Sequence, residues 1–277
     1  MPRVNDDALD CEVVTTRLGA RAVRDRLTGE LMHPVVGPIV EAERLYVAPS
    51  RLRGRLAEPD PRPLVLLDVG LGAGSNAIGA WKASADRAGG RVLEIVSFDR
   101  SLGAIALAVD DANAADFGFD GASRAAALAV IDRRFHDAGH ARWRYVDGAL
   151  PGTLSSVDDA AADLVFWDPF SPRANPDLWT VRSFAALLRV CRAGATVHTY
   201  SGATATRSAM LLAGFAVGLG APTGDNKWAT IGAVDATDLA TPLDGRWIDR
   251  LGRSHAAFPC DAPADAIDRI RSAPQFR

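Results

Sequence analysis

From residue 63 onward the chain alternates short apolar runs with segments of helical periodicity. Five apolar runs predict buried strands, and they are PLVLLDVG (63–70), LEIVSFD (93–99), WRYVDG (143–148), ADLVFWD (162–168) and ATVHTYS (195–201). Strands that alternate with helices are typical of a parallel sheet with helices on both faces. Residues 215–234 differ, because two apolar arms flank a Pro/Gly/Asp/Asn turn, and we predict an antiparallel hairpin there.

The segments between these strands carry the periodicity of helices. They cover 75–88, 101–114, 123–139 and 179–194, and we expect Gly139 and Gly194 to end the last two. A mostly parallel seven-stranded sheet that ends in a hairpin differs from the six parallel strands of a dinucleotide dehydrogenase. The pattern predicts an α/β, Rossmann-like class I methyltransferase fold.

This order of elements suggests three regions. We expect a cofactor-binding core at 61–235, an N-terminal extension at 1–60 on the substrate side, and a C-terminal tail at 236–277 with a short helix near 261–272. Each flank is a candidate for substrate recognition, with a simple packing extension as the alternative.

Composition and charge narrow the class of protein. A chain of 277 residues with 48% hydrophobic content can bury a full core. A formal net charge of −3 gives no general basic field, so a nucleic-acid partner would depend on a local patch. The three cysteines form no CxxC pair, and we expect no disulfide framework and no metal site. The apolar runs are too short to span a membrane and the first residues do not resemble a signal peptide, so we expect a cytoplasmic protein.

The first predicted strand leads into the glycine-rich stretch DVGLGAGSN (68–76). Glycines allow a ligand to approach the backbone, and the N–H groups at the start of the next helix can bind polar ligand atoms. Asp99 and Asp147 end the next two strands, where they can accept from ribose hydroxyls and from an adenine amino group. A helix cap is the alternative role for each acid taken alone. We therefore predict an adenosine-containing ligand, with S-adenosylmethionine as the cofactor. The predicted cofactor contacts are Asp68, Gly70, Gly72, Gly74, Asn76, Asp99 and Asp147.

The fourth strand ends in FWDPFSPRANPDLW (166–179), which places Asp168 at the exit of a buried strand. Asp168-Pro169-Phe170 loosely resembles the Asp-Pro-Pro-Tyr segment of amine methyltransferases, in which a side-chain oxygen holds an N–H group. A carboxylate there can orient an acceptor amine and accept its proton. We predict Asp168 as the catalytic residue, with Phe170 beside the acceptor and Trp179 as a stacking surface for a base. An ordinary turn with a capping acid is the alternative.

Taken together, these stretches resemble the MnmC-like methyltransferases, which methylate the 5-aminomethyl group on the wobble uridine of certain tRNAs. The resemblance covers most of the chain and includes LDVGLGAGSN, WRYVDGALPGTL, FWDPFSPRANPDLWT and the upstream MHPVVGPIVEAERLYV (32–47). It implies tRNA as the partner, and His33 and Glu41 as residues that line the substrate pocket. The best-known members have Gly where Pro169 stands.

The resemblance also implies what this chain does not do. Many family members carry a fused flavin-dependent oxidoreductase domain for which 277 residues leave no room, so we expect methyl transfer alone. Two alternatives remain open at this point. One is a methyltransferase for a small amine or another nucleobase, and the other is a protein that binds S-adenosylmethionine without catalysis.

Overall fold

The computed structural model describes residues 10–32, 37–86, 89–224 and 227–277. It divides into two compact units. The first contains the described residues up to Ala149 together with Asp168–Phe170, and the second contains Leu150–Trp167 and Ser171–Arg277. The predicted division into an extension, a core and a tail stays a prediction.

The first unit begins with a small antiparallel sheet. Its strands are β1 (Cys11–Thr15), β2 (Arg21–Asp25) and β3 (Leu31–Met32), in the order β1-β2-β3. A turn closes the first hairpin, because the Thr16 N–H donates to the carbonyl of Ala20 at 2.7 Å. This small sheet lies within the N-terminal extension predicted at 1–60.

The larger sheet of the first unit contains the predicted glycine turn. Its strands are β4 (Leu64–Val69), β5 (Leu93–Asp99), β6 (Phe135–Asp137) and β7 (Ala141–Asp147), in the order β4-β5-β7-β6. β4 pairs with β5 and β5 with β7 in parallel, whereas β6 is antiparallel to β7. The parallel strands are largely buried, as expected for strands covered on both faces.

The second unit contains the predicted hairpin. Its strands are β8 (Ala162–Trp167), β9 (Cys191–Thr199), β10 (Ala216–Gly224) and β11 (Lys227–Ala233), in the order β8-β9-β11-β10. β8 and β9 are parallel, and β11 is antiparallel to both β9 and β10. The mostly parallel α/β fold is therefore confirmed, but the central sheet has eight strands rather than the predicted seven.

The helices lie between and beyond these strands. The α-helices are α1 (Pro38–Ala42), α2 (Leu52–Ala57), α3 (Ser75–Ala85), α4 (Gly103–Val109), α5 (Gly121–Arg133), α6 (Val181–Val190), α7 (Thr204–Ala213), α8 (Gly245–Leu251) and α9 (Ala266–Arg271). A π-helical turn covers Glu43–Val47, and short 3-10 helices cover Gly152–Ser156, Pro176–Trp179, Ala236–Asp238 and Pro274–Phe276. No helix in the described part of the chain combines the length and apolar character that a membrane span requires.

The extra strand corrects the prediction of one long helix over 123–139. α5 ends at Arg133, because Arg134 adopts a left-handed conformation with φ of 62°. The chain then turns back as β6, with Phe135 opposite Arg144 of β7. Helical periodicity alone could not reveal a strand of three residues.

The predicted end of the next helix is also wrong. α6 ends at Val190 rather than at Gly194, and β9 begins at once with Cys191. Gly194 lies inside β9 with φ of 78°. The pairing of β8 with β9 is irregular between Ala162 and Leu164, so this glycine accommodates a bulge rather than a helix end.

Candidate active site

The glycine turn joins β4 to α3 in the first unit. Gly70, Gly72 and Gly74 all have positive φ values, of 86°, 50° and 83°. At Gly70 the space is also limiting, because an added Cβ would lie 2.6 Å from the backbone oxygen of Asp168. The Asp168 N–H donates to the Val69 carbonyl at 2.8 Å. The absence of a side chain at residue 70 thus lets Asp168 lie directly against the turn.

Asp99, at the end of β5, is hydrogen-bonded to the same turn. One carboxylate oxygen accepts from the Gly72 N–H at 2.9 Å, and the other accepts from the Arg100 N–H at 2.7 Å. Burial raises the pKa of Asp99, while these backbone hydrogen bonds oppose the shift. Asp147 lies opposite Asp99 in the β5–β7 register and is exposed. The two predicted ribose and adenine acceptors therefore lie at one edge of the sheet.

Asp68 has a different environment from the other strand-end acids. It is fully buried, and one carboxylate oxygen accepts from the Ser97 hydroxyl at 2.6 Å. Ser97 in turn accepts from the Trp143 ring N–H at 2.9 Å. Burial raises the pKa of Asp68, the Ser97 hydrogen bond acts against this shift, and the negative charges of Asp168 and Asp99 add to it, which gives a pKa of about 7.

Asp168 is held by two side-chain donors. The Tyr46 hydroxyl donates to one carboxylate oxygen at 2.5 Å, and the Asn76 side-chain amide donates to the other at 2.7 Å. Tyr46 is fully buried and Asn76 is 3% exposed. An ionised carboxylate only accepts hydrogen bonds, so these two donors fix the orientation of the Asp168 carboxylate at the turn.

Asn76 contacts Asp168 as well as lying at the predicted cofactor turn. Its amide nitrogen donates to Asp168, and its predicted contact with the cofactor stays a prediction. Sequence reasoning did not identify Tyr46. The sequence offered one hint, because Tyr46 lies near the end of the stretch 32–47 among mostly apolar and charged residues.

The remaining predicted substrate residues have no tested role. Glu41 lies in α1 and is 8% exposed, and Phe170 is half-buried. Trp179 belongs to the second unit, where it is 4% exposed and packs edge-on against Tyr200 with ring centres 5.8 Å apart. His33 lies outside the described residues. The role of each remains a prediction.

Sequence comparisons identify the class of enzyme. A family model described as S-adenosyl-L-methionine-dependent methyltransferase matches residues 132–235. The tRNA 5-methylaminomethyl-2-thiouridine biosynthesis bifunctional protein MnmC of Ralstonia nicotianae is 30% identical over 68% of this chain and 29% of its own length. The protein of the same name from Azoarcus sp. is 30% identical over 86% of this chain and 36% of its own length. The chain thus spans about a third of the curated relatives that it matches.

Solved structures support the fold. MnmC2 from Aquifex aeolicus matches with a TM-score of 0.72 over 96% of this chain and 86% of that chain, at 22% identity. A probable spermidine synthase from Corynebacterium glutamicum matches with a TM-score of 0.52 over 81% of this chain and 77% of that chain, at 12% identity. At these identities the likeness shows the fold alone.

The polar atoms around the glycine turn fit the cofactor of this class. Three of the buried side-chain atoms that lack a hydrogen-bond partner among the described residues belong to this turn, and they are Asp68 Oδ1, Ser75 Oγ and Asn76 Oδ1. Buried polar atoms are normally paired, so these atoms indicate a polar ligand. The carboxylate and amide oxygens suit an ammonium group, and the second acceptor positions of Asp99 suit hydroxyls. The chain is an S-adenosylmethionine-dependent methyltransferase that is similar over most of its length to part of the MnmC proteins.

Proposed function

We propose that this enzyme methylates the amine of an aminomethyl group on the wobble uridine of tRNA. The observation that carries the proposal is the Asp168 carboxylate, oriented by Tyr46 and Asn76 against the glycine turn. The relatives whose names describe tRNA 5-methylaminomethyl-2-thiouridine biosynthesis support the choice of acceptor.

Different residues at the turn would bind different parts of the cofactor. Asp99 would accept from the ribose hydroxyls, and Asp68 Oδ1 and Asn76 Oδ1 would accept from the ammonium group. When bound, S-adenosylmethionine supplies an electrophilic methyl group on a positively charged sulfur. The glycine turn contributes backbone N–H groups at the start of α3, which can bind a carboxylate.

Asp168 acts on the acceptor. Its carboxylate can accept from the N–H groups of a neutral amine and so direct the nitrogen lone pair, and orientation of this kind can lower a barrier by several kcal/mol. The new N–C bond would form as the S–CH3 bond breaks and the sulfur leaves as a neutral thioether. The methylated amine then carries a positive charge, and the Asp168 carboxylate can take its proton. Tyr46 and Asn76 keep the carboxylate from rotating away.

The protonation state of the amine sets the pH dependence. A primary amine is mostly protonated at pH 7, and a protonated nitrogen has no lone pair to react. The carboxylate also attracts the cationic form, so the reactive fraction increases as the pH rises. We therefore expect single-turnover rates to increase with pH up to the pKa of the bound amine.

Nucleoside analysis tests the acceptor. Purified enzyme, S-adenosylmethionine and tRNA that bears aminomethyl uridine should yield methylaminomethyl uridine by mass spectrometry of the digested tRNA. Asp168→Ala serves as the inactive control, and titration calorimetry measures cofactor binding in both proteins. Methylation of a polyamine or another base instead of this uridine would identify a different acceptor. Cofactor binding without any methylated product would indicate a binding protein.

A further inference from the structure

Arg207, in α7 of the second unit, is a buried cation without an acidic partner among the described residues. It is only 6% exposed. Its Nε donates to the Thr230 hydroxyl at 3.0 Å, and its Nη2 donates to the carbonyls of Trp228 and Ala229 at 2.8 and 3.4 Å. These acceptors are neutral, and Nη1 has no partner in the part of the chain that the structure describes. Buried charges are normally paired with opposite charges, so this side chain indicates an anion.

The surroundings of Arg207 do not supply the missing negative charge. Residues 178–224 include four arginines and no Asp or Glu. Arg192 of this stretch pairs with Asp163 at 3.3 Å, whereas Arg207 forms no ion pair with any residue described. Burial and, to a smaller extent, the positive charge of Arg250 lower the pKa of Arg207 to about 10, with no acid of the described chain opposing the shift.

The first turn of α7 adds backbone donors. α7 is ten residues long, and its N-cap residue, Ala203, has no side chain that can cap the helix. The N–H groups of residues 204–206 donate to no residue that the structure describes. Gly202 and Ala203 are exposed, so a ligand can reach this end of the helix. Free N–H groups and the helix dipole both favour an anion there.

Two contacts place the Arg207 guanidinium at the loop that leads into α7. Its Nη2 lies 3.7 Å from the position that a Cβ on Gly202 would occupy, and the same Cβ would clash with the Trp228 carbonyl oxygen. The Thr230 hydroxyl, which accepts from Arg207, donates to the Ser201 carbonyl at 2.6 Å. The absence of a side chain at residue 202 thus lets the loop lie against the guanidinium. The buried cation and the free N–H groups therefore adjoin one loop, where a single anion can bind both.

We propose that Arg207 and the first turn of α7 form a binding site for a phosphate group. A phosphate carries negative charge and several acceptor oxygens, which match a guanidinium and a set of backbone N–H groups. The site follows the end of β9, at the edge of the sheet where α/β proteins bind ligands. The phosphate can belong to an RNA backbone or to a small phosphorylated molecule. RNA is the favoured source, and this choice alone rests on the proposed function.

Thr204→Pro tests the backbone donors with little change to the fold. Proline lacks an N–H but is favoured at the first position of a helix. Ala203 already has the extended backbone that precedes proline, with φ of −65° and ψ of 139°. Thr204→Ala keeps the N–H and is the matched control. In phosphorus NMR titrations with inorganic phosphate, Thr204→Pro should weaken binding about tenfold, as for loss of a hydrogen bond to a charged group. Thr204→Ala should bind as the wild type does.

Arg207→Gln tests the buried charge. The probe is a fluorescein-labelled anticodon stem-loop of tRNA, and its Kd is measured across salt concentrations. Arg207→Gln should reduce the slope of log Kd against log salt by about 0.7, the value for one lost contact with a single strand. Arg207→Lys keeps the charge and should keep the slope. Arg269→Gln, which removes an arginine paired with Asp265 at 2.9 Å, is the control and should also keep it. Thermal unfolding checks that each variant is folded.

The two probes distinguish the sources of the phosphate and separate the site from the proposed function. Loss of affinity for both probes in Thr204→Pro and Arg207→Gln would assign the site to an RNA phosphate. Loss of affinity for inorganic phosphate alone would assign it to a small phosphorylated molecule. Equal affinities of Thr204→Pro and Thr204→Ala for both probes, or no binding of either probe by the wild type, would overturn the site even if the enzyme methylates tRNA. If the variants lose phosphate affinity but the wild type methylates no tRNA, the site stands and the proposed function fails.

Discussion

Asp68 and Asp168 are two aspartates beside one glycine turn, in opposite surroundings. Asp68 is fully buried with one hydroxyl donor and one oxygen without a partner in the described structure, whereas both oxygens of Asp168 accept from side chains. Burial with few donors favours the neutral acid, and burial raises the pKa of Asp68 to about 7. Two aligned side-chain donors instead fix the orientation of the Asp168 carboxylate. We therefore propose different roles for these two acids.

The largest effect is expected from removal of the oriented carboxylate. Asp168→Ala should lower the single-turnover methylation rate by roughly 100-fold or more, since it removes both a positioning contact and a general base. Cofactor affinity measured by calorimetry should change little. Asp177→Ala, which removes an exposed aspartate nearby in the sequence, is the matched control. A wild-type rate in Asp168→Ala would show that the end of β8 is an ordinary turn with no part in catalysis.

Asp168→Asn separates the two roles of the acid. It keeps an oxygen acceptor but cannot take a proton at neutral pH. Activity retained in this variant would show that orientation dominates and that water accepts the proton. Activity as low as that of Asp168→Ala would instead assign the main role to proton transfer. Rates measured across pH in both variants distinguish these results.

The next largest effect concerns Asp99, the strand-end acid assigned to the cofactor. Asp99→Ala should weaken S-adenosylmethionine binding by about 10- to 100-fold, as expected for loss of hydrogen bonds to a charged acceptor. Asp99→Asn can still accept from the Gly72 N–H, so it tests ribose binding apart from the shape of the turn. Calorimetry provides the measurement, with Asp137→Ala as an exposed control. Unchanged affinity in both Asp99 variants would contradict the assigned cofactor site.

A smaller effect is expected when one donor to Asp168 is removed. Tyr46→Phe keeps the buried ring and deletes the hydroxyl, so the carboxylate loses one of its two orienting side chains. We expect turnover to fall about tenfold, equivalent to one hydrogen bond to a charged group, with cofactor affinity unchanged. Tyr145→Phe is a suitable control, because its hydroxyl donates to a backbone carbonyl instead. Equal turnover in the two variants would show that Tyr46 does not position the acid.

A separate effect, on stability rather than on turnover or binding, is expected in the pH dependence of unfolding, through Asp68. Between pH 4 and 7 the unfolded chain has an ionised Asp68 while the folded chain keeps it protonated, because its folded pKa is raised to about 7. The unfolded state therefore binds fewer protons, and the free energy of unfolding falls as pH rises, by up to about 1.4 kcal/mol per pH unit. Asp68→Asn should lose this dependence in denaturant unfolding at pH 5, 6 and 7. Parallel pH profiles for both proteins would contradict the raised pKa.

Local patterns made the strand ends predictable. The glycine turn at 68–76 and the acids Asp99 and Asp168 follow directly from apolar runs, and the structure places them together in the first unit. The partners of Asp168 are not local, since Tyr46 lies 122 residues away in sequence and Asn76 lies 92 away. A single sequence contains no signal for pairs at such separations. The two side chains that donate to Asp168 therefore could not be predicted.

Two short elements, β6 and α8, could not be predicted from hydrophobic periodicity. β6 is three residues long, and it follows a left-handed arginine where a glycine would have been the usual signal. α8 was not predicted because its seven residues contain few apolar positions, although Asp244 caps it by accepting from the Arg246 N–H. Short elements of this kind are fixed by tertiary pairing more than by their own sequence.

Gly70 limits how this enzyme could be redesigned. The smallest side chain that could be added there is a methyl group, and its carbon would lie 2.6 Å from the backbone oxygen of Asp168. A library aimed at bulkier or differently charged acceptors can therefore vary Phe170 or Glu41, where side chains already stand, but should leave residue 70 constant. Variants at this position would displace Asp168, the proposed catalytic acid, rather than reshape the predicted acceptor pocket, so selection for any new acceptor would discard them.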